Sequence, residues 1–293
     1  VSLNINGDLP DNEIIKRALL AEKAGIKVVW IGELELFKDP FHVAEIIAEN
    51  TSLSIGFGTL SPLRRSCKDI LNRVKLLTRK YDNPFLLGIS AGNFSDPKKA
   101  VDAVVKCVEV AKNELDIPVL VGCSSPKITS YASKIADGIL FNYVYPAYLQ
   151  WIMKFMEKVV FTAAYGPSLI LPSPYYQDLL LAAAIVMGSS RAFLREFKLE
   201  EVHRELTSVD FASLIKARQS GTDLEKLPEF RILEKHSKLL MERFTISGCV
   251  DSVRKRIQSI LEVCDHVVLG DPYFRDAKAV EMLKDVVAKI RAE

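Results

Sequence analysis

The chain has 293 residues, 49% of them apolar, with 39 Lys and Arg against 37 Asp and Glu for a formal charge of +2. That composition is globular, and a chain of this length folding as one unit buries roughly three quarters of its unfolded surface without help from disulfides. Near-balanced charge with no long block of one sign excludes nucleic acid and anionic lipid as principal partners.

No apolar run approaches the roughly 18 residues of a membrane span, and the stretch Leu179 to Met187 is far too short. The start, Val1 to Asp8, has neither a basic opening nor an apolar signal core, so the expectation is an intracellular, cytoplasmic protein. Five cysteines, Cys67, Cys107, Cys123, Cys249 and Cys264, form no C-x-x-C pair and have no His at ligand spacing. No metal site is expected, and the cysteines are expected to be free thiols in a reducing compartment. The four histidines, His42, His203, His236 and His266, are scattered, with no partner that sequence can identify.

Short β-branched runs alternate with amphipathic segments, the rhythm of repeated βα units. Ser2 to Asn6 reads as a strand, followed by a helix over Asn12 to Ala24 that stops at Gly25. Lys27 to Ile31 is the second strand, and a helix over Pro40 to Asn50 follows, with Asp39 as N-cap and Pro40 in the first turn. Leu53 to Gly58 and a helix over Lys68 to Tyr81 make the third unit; Phe85 to Ser90 and a helix over Pro97 to Glu114 make the fourth. Pro118 to Gly122 leads to a helix starting near Ser125, and Gly138 to Asn142 to a helix over Pro146 to Glu157. Val159 to Ala164 is the seventh strand; His266 to Leu269 is the eighth, with the last helix from Arg275 onward.

Eight strand-helix units in about 250 to 300 residues predict a closed (β/α)8 barrel, a TIM barrel, as one domain over 1–293. An open doubly wound sheet is disfavoured because no G-x-G-x-x-G follows the first strand. Roughly a hundred residues separate strands seven and eight, more than a crossover needs. Tyr176 to Leu240 reads as extra helices, an insertion over about 173–243 whose most mobile part is Gln219 to Phe230.

Such barrels assemble their sites at the carboxyl ends of the strands. The positions that fall there are Asn6 with Asp8, Glu33 with Glu35, Thr59 to Ser61, Asn93, Ser124 to Lys127, Asn142, Tyr165 and Asp271. At Gly122-Cys123-Ser124-Ser125-Pro126-Lys127 a strand hands over to a helix, so free N–H groups and the helix dipole converge where a phosphate could sit. A plain capped helix, with Ser124 or Ser125 as N-cap, explains the same residues. Glu33, just past the second strand, is either an exposed loop acid or, facing a closed cavity, a proton donor or acceptor. Gly56 to Pro62 is a small-residue exit that permits close approach of a flat ligand.

Together these segments resemble the bacterial-luciferase-like superfamily of flavin and deazaflavin enzymes, especially the coenzyme F420-dependent methylenetetrahydromethanopterin reductases. The resemblance rests on Ala21 to Ile26, Asp39-Pro40, Ile47 to Thr51 running into Ser54 to Thr59, and Leu87 to Asn93. It continues through Pro118 to Gly122 with Pro126-Lys127, Ile135 to Asn142, and Ile246 to Gly248 ahead of Val253 to Ile257. Nearly the whole chain is covered, most weakly from Leu171 to Arg243.

The resemblance implies a (β/α)8 barrel with an insertion after strand seven, binding F420 or FMN at the carboxyl face, and a homodimer. It implies a non-proline cis peptide after strand three, near Leu60 and Ser61, that backs the ring alongside Thr59. Asn93 and Asn142 would contact the ring or the substrate, and Ser124, Ser125, Pro126 and Lys127 would hold the phosphate. Glu33 would handle the proton, although the His that commonly follows this acid is replaced by Leu34. Asn93 stands where relatives often have an acid, and the segment from Asn93 to Pro118 is shorter than theirs. The function implied is an oxidoreductase moving a hydride between the ring and a small organic substrate. The alternatives are an FMN-dependent monooxygenase and a catalytically degenerate, ligand-binding barrel.

Overall fold

The computed structural model describes residues 1–92, 96–188, 190–288 and 290. Among the described residues nine parallel strands alternate with helices. They are β1 (Ser2–Ile5), β2 (Val28–Ile31), β3 (Ser54–Leu60), β4 (Phe85–Ile89), β5 (Val119–Cys123), β6 (Gly138–Phe141), β7 (Phe161–Ile170), β8 (Ile246–Gly248) and β9 (His266–Gly270). Each of β1 to β6 pairs with the next, β6 also pairs with β7, β7 with β9, and β9 with β1. Eight strands thus close on themselves as a (β/α)8 barrel, which removes both sheet edges. β8 lies outside the ring, paired only to the far end of β7 through Ser168 and Ile246 to Ile170 and Gly248.

The helices between the strands are α1 (Asp11–Lys23), α2 (Pro40–Asn50), α3 (Cys67–Lys80), α4 (Pro97–Glu114), α5 (Pro126–Ile135) and α6 (Pro146–Met153). Local chemistry sets their starts. Asp39 accepts from the Phe41 N–H at 2.9 Å with Pro40 in the first turn, and Ser66 accepts from the Asp69 N–H at 3.1 Å. Alternation along the strands then makes two apolar layers. Leu3, Ile5, Val29, Ile31, Ile55 and Phe57 point outward and are buried against the helices, while Trp30, Leu120, Leu140, Ala163 and Val268 fill the barrel interior.

The insertion follows β7 as α7 (Tyr176–Met187), α8 (Arg191–Glu196), α9 (Glu200–Leu206), α10 (Phe211–Gln219), α11 (Phe230–Lys235) and α12 (Ser237–Phe244). α13 (Val250–Leu261), α14 (Ala277–Glu281) and α15 (Leu283–Ala288) complete the chain. Among the described residues no helix is long and apolar enough to cross a membrane.

Several expectations are corrected. β7 runs to Ile170 because its second half finds a partner in β8, a strand too short to read from sequence; Val159, expected to open it, is exposed. α6 stops at Met153, short of Glu157. Cys67 and Cys107, expected as free thiols, are disulfide-bonded across α3 and α4, with Cα atoms 5.5 Å apart. Cys123, Cys249 and Cys264 are free. Of the apolar run Leu179 to Met187, Ile185 is exposed and Ala182 half-buried, and the rest is buried within the chain. The non-proline cis peptide is Gly58-Thr59, earlier than the expected neighbourhood of Leu60 and Ser61.

Candidate functional site

The carboxyl end of the barrel is floored by Trp30. Its indole fills the space above Gly56, where a Cβ would overlap the ring, and its Nε1–H donates to Ser2 Oγ at 3.1 Å. The wall above that floor is small. Thr59 packs into the room left by Gly88 and Gly122, and its hydroxyl lies 2.5 Å from that of Ser90. Gly32, Thr59, Ser90, Gly122, Ser124 and Asn142 are each partly open to solvent, so the sector from β2 to β6 is accessible and poor in bulk.

Of the residues expected beside a ring, Thr59 faces this hollow. Leu60 is fully buried in the outer core, and Ser61 is buried too, its hydroxyl donating to the Ala91 carbonyl at 2.9 Å. Asn142 follows β6 with its N–H on the Cys123 carbonyl at 3.3 Å. Asn93 lies outside the described residues.

Glu33 is neither exposed nor isolated. Its carboxylate takes Arg65 Nε at 2.5 Å on one oxygen and the Ser61 N–H at 3.1 Å on the other. Arg65 continues to Asp39 at 2.9 Å, and Asp39 to Arg73 at 2.9 Å. These guanidiniums hold the Asp39 carboxyl below its ordinary value against the opposing effect of burial. Glu33 therefore ties the exit of β2 to the exit of β3, with Leu34 and Leu36 exposed beside it.

At the handover from β5 to α5, Ser125 is the N-cap but its side chain makes no capping hydrogen bond, and Pro126 occupies the first turn. Ser125 is therefore not a hydroxyl cap, and its side chain does not block the leading N–H groups of α5. Lys127 is exposed at the same end.

The opposite sector, around β1 and β9, is covered by the insertion through a buried ionic cluster. Arg275 pairs with Asp271 at 2.9 Å, Asp178 at 3.2 Å and Asp8 at 3.3 Å; Arg218 reaches Asp178 at 3.2 Å and Asp8 at 3.6 Å. Burial, and then the neighbouring Asp271, push the Asp8 carboxyl above its ordinary value despite both arginines. Burial raises Asp178 likewise. Asp8 and Asp271 are legible as strand-end residues; Asp178 and Arg218 are not, because their partners lie far away in sequence, and Arg275, although it pairs with Asp271 four residues before it, lies past the strand end. Asp271-Pro272, at the exit of β9, is a cis peptide.

Among the described residues no group of three or more His, Cys, Asp or Glu is arranged to hold a metal. Two surface grooves, of about 450 and 430 Å³, lie along α1 and along α4.

No family model matches the chain. It is 20% identical over 318 residues to the 5,10-methylenetetrahydromethanopterin reductase of Methanolobus tindarius, covering 90% of this chain and 92% of that one. The coenzyme F420-dependent tetrahydromethanopterin reductase of Methanopyrus kandleri superposes with a TM-score of 0.72 at 17% identity, covering 99% of this chain and 98% of the other. An F420-dependent secondary alcohol dehydrogenase, in complex with an F420-acetone adduct, superposes at 0.69 with 13% identity over 99% and 98% of the two chains. The chain thus shares the (β/α)8 fold of these proteins, with an insertion after the seventh strand.

Proposed function

We propose that the protein is a luciferase-like oxidoreductase that moves a hydride between F420 or FMN and a small organic substrate. The observation that carries this reading is the small-walled, open sector of the mouth beside the start of α5, where the Ser125 hydroxyl makes no capping hydrogen bond. A planar ring needs walls without bulk, which the small side chains of Thr59 and Ser90 against Gly88 and Gly122 provide, and a phosphorylated tail needs N–H donors, which Ser125, Lys127 and Ile128 carry. The group, when bound, supplies the hydride chemistry. The chain's own residues position it: Thr59, in β3, and Ser90, just past β4, present paired hydroxyls, and Asn142 follows β6. F420 is the favoured choice, because the reductase and the dehydrogenase that share the fold are F420-dependent.

Glu33 is the proposed proton-handling residue. As a carboxylate held by Arg65 and the Ser61 N–H it is fixed at the exit of β2, where it accepts a proton if one of those donors gives way. A cytoplasmic location and a homodimer go with the same reading; sedimentation of the purified protein tests the latter.

The deciding experiment titrates the purified protein with F420 and with FMN, followed by absorbance, and then measures turnover with candidate substrates. Saturable binding of one of them with turnover is expected, and Glu33→Gln should lower turnover on the order of a hundredfold while leaving ring affinity near wild type. Binding of neither sinks the proposal. Tight binding without turnover marks a ligand-binding barrel, and consumption of dioxygen marks a monooxygenase.

A further inference from the structure

We propose that the β1 side of the mouth is a subsite for a positively charged nitrogen of the substrate, an ammonium or amidinium group, with Asp8 as its counter-charge and Asn6 as a flanking acceptor. Naming that nitrogen as the substrate's rests on the oxidoreductase reading above; the subsite itself rests on what β1 presents to the barrel. Leu3 and Ile5 lie in the outer core, so alternation turns Asn4 and Asn6 inward. Asn4 is 3% exposed, and its Nδ2 donates to the Trp30 carbonyl at 3.1 Å. That carbonyl can only accept, which fixes the carboxamide with its oxygen turned away from β2. Among the described residues this oxygen has no hydrogen-bond partner. Nearer the mouth, Asn6 stands over Gly32. A Cβ at Gly32 would lie 3.0 Å from Asn6 Oδ1, 3.7 Å from the Gly58 carbonyl oxygen and 3.5 Å from Asn4 Nδ2. The missing side chain thus leaves a gap edged by two oxygens and by the nitrogen that Trp30 already engages.

Asp8, two residues on, supplies the charge. Its side chain is 8% exposed, with Oδ2 3.3 Å from Arg275 Nε and 3.6 Å from Arg218 Nη2. Its Oδ1 is buried with no hydrogen-bond partner among the described residues. The cluster to which it belongs sets Asp8, Asp178 and Asp271 against Arg218 and Arg275, so one negative charge is left over. Of the three acids, Asp8 is the one that keeps a buried oxygen without a partner. Burial and the neighbouring Asp271 hold its carboxyl above the ordinary value, as befits a charge that lacks its complement in the free protein. A buried acceptor without a donor and a buried charge without a counter-ion are each costly alone. One kind of group cancels both, a cation that carries N–H donors. A carboxylate or phosphate would meet oxygens here, and the two arginines that could hold it are already shared among the acids.

The test measures dissociation constants for benzylamine, benzyl alcohol and benzoate, which share a ring and differ in charge, by ligand-observed NMR. Wild type, Asp8→Asn and Asn6→Leu are compared, each alone and with F420 or FMN added, and unfolding midpoints are taken alongside. Wild type should bind benzylamine on the order of tenfold more tightly than the other two probes. Asp8→Asn keeps an acceptor and removes the charge; it should lose that preference yet unfold no earlier than wild type, since two acids then face two arginines. Asn6→Leu, close in volume, should weaken benzylamine severalfold with Asp8 intact. No preference for the amine in wild type overturns the subsite. So does a preference that survives Asp8→Asn, and so does an equal loss for all three probes in both variants, the mark of a purely structural role. Amine binding by a protein that takes up neither F420 nor FMN keeps the subsite and sinks the oxidoreductase reading; ring binding without amine preference does the reverse.

Discussion

Below the mouth, single side chains close the barrel by a short polar relay. His266 Nε2 lies 2.8 Å from the Ser2 hydroxyl, which also accepts the Trp30 N–H. Burial pushes the His266 imidazole down from 6.5 to about 3. A base whose folded pKa lies below its unfolded value takes up its proton on unfolding, so its contribution to stability is whole above pH 6.5 and is lost as the pH falls toward 3. The loss reaches about 2 kcal/mol by pH 5. Urea midpoints at pH 7.5 and 5 should therefore fall further in wild type than in His266→Gln, which keeps a partner for Ser2; parallel curves would refute it. At this scale the sequence exposed the residues that end strands, such as Glu33, Thr59 and Ser124, because strand ends follow from pattern. It hid what each one touches. Glu33 reads as a loop acid or a cavity acid, yet Arg65, which holds it, stands beyond the next strand. His266 showed no partner because Ser2 is at the other end of the chain.

Whole elements were more legible than contacts between them. Helical spacing placed α2 and α4 to the residue, since Asp39-Pro40 and Asp96-Pro97 combine a side-chain acceptor with a residue that lacks an N–H. The second half of β7 was missed because strand character there depends on β8, three residues long and remote. The disulfide was missed for a similar reason. Cys67 opens α3 and Cys107 sits within α4, and only the packing of adjacent barrel helices brings them together. Their separation of 40 residues sets the size of the effect. In the chain-entropy account, closing a loop of that length stabilises the fold by about 4 kcal/mol. Thiol reductant, or Cys107→Ser, should lower the unfolding transition accordingly, with no change when reductant is added to the variant. A transition indifferent to reductant in wild type would show that the two sulfurs do not bond in solution.

At the scale of the molecule, the barrel and its insertion are joined at two places with opposite chemistry. On one side Tyr143, Tyr148 and Trp151 pack against Phe193, Phe197 and Phe244 of the insertion, an apolar contact insensitive to pH. On the other, Asp8, Asp271 and Arg275 of the rim meet Asp178 of α7 and Arg218 of α10, three carboxylates against two guanidiniums. Arg275 touches all three acids, so Arg275→Met leaves them facing Arg218 alone. Breaking a buried pair in this way costs about 3 to 5 kcal/mol. The pH dependence has a definite sign. Asp8 and Asp178 already sit above the ordinary carboxylate range, and such groups weaken the fold as pH rises through their folded pKa. Losing Arg275 raises them further, so the defect of the variant should be larger at pH 8 than at pH 5. Because the cluster spans rim and insertion, it should first appear as proteolytic cleavage within residues 173–243, ahead of global unfolding. Adding Asp178→Asn to Arg275→Met should restore part of the lost stability, since one buried charge is removed. If the two substitutions simply add, or if the defect is the same at both pH values, the cluster does not hold the insertion to the mouth.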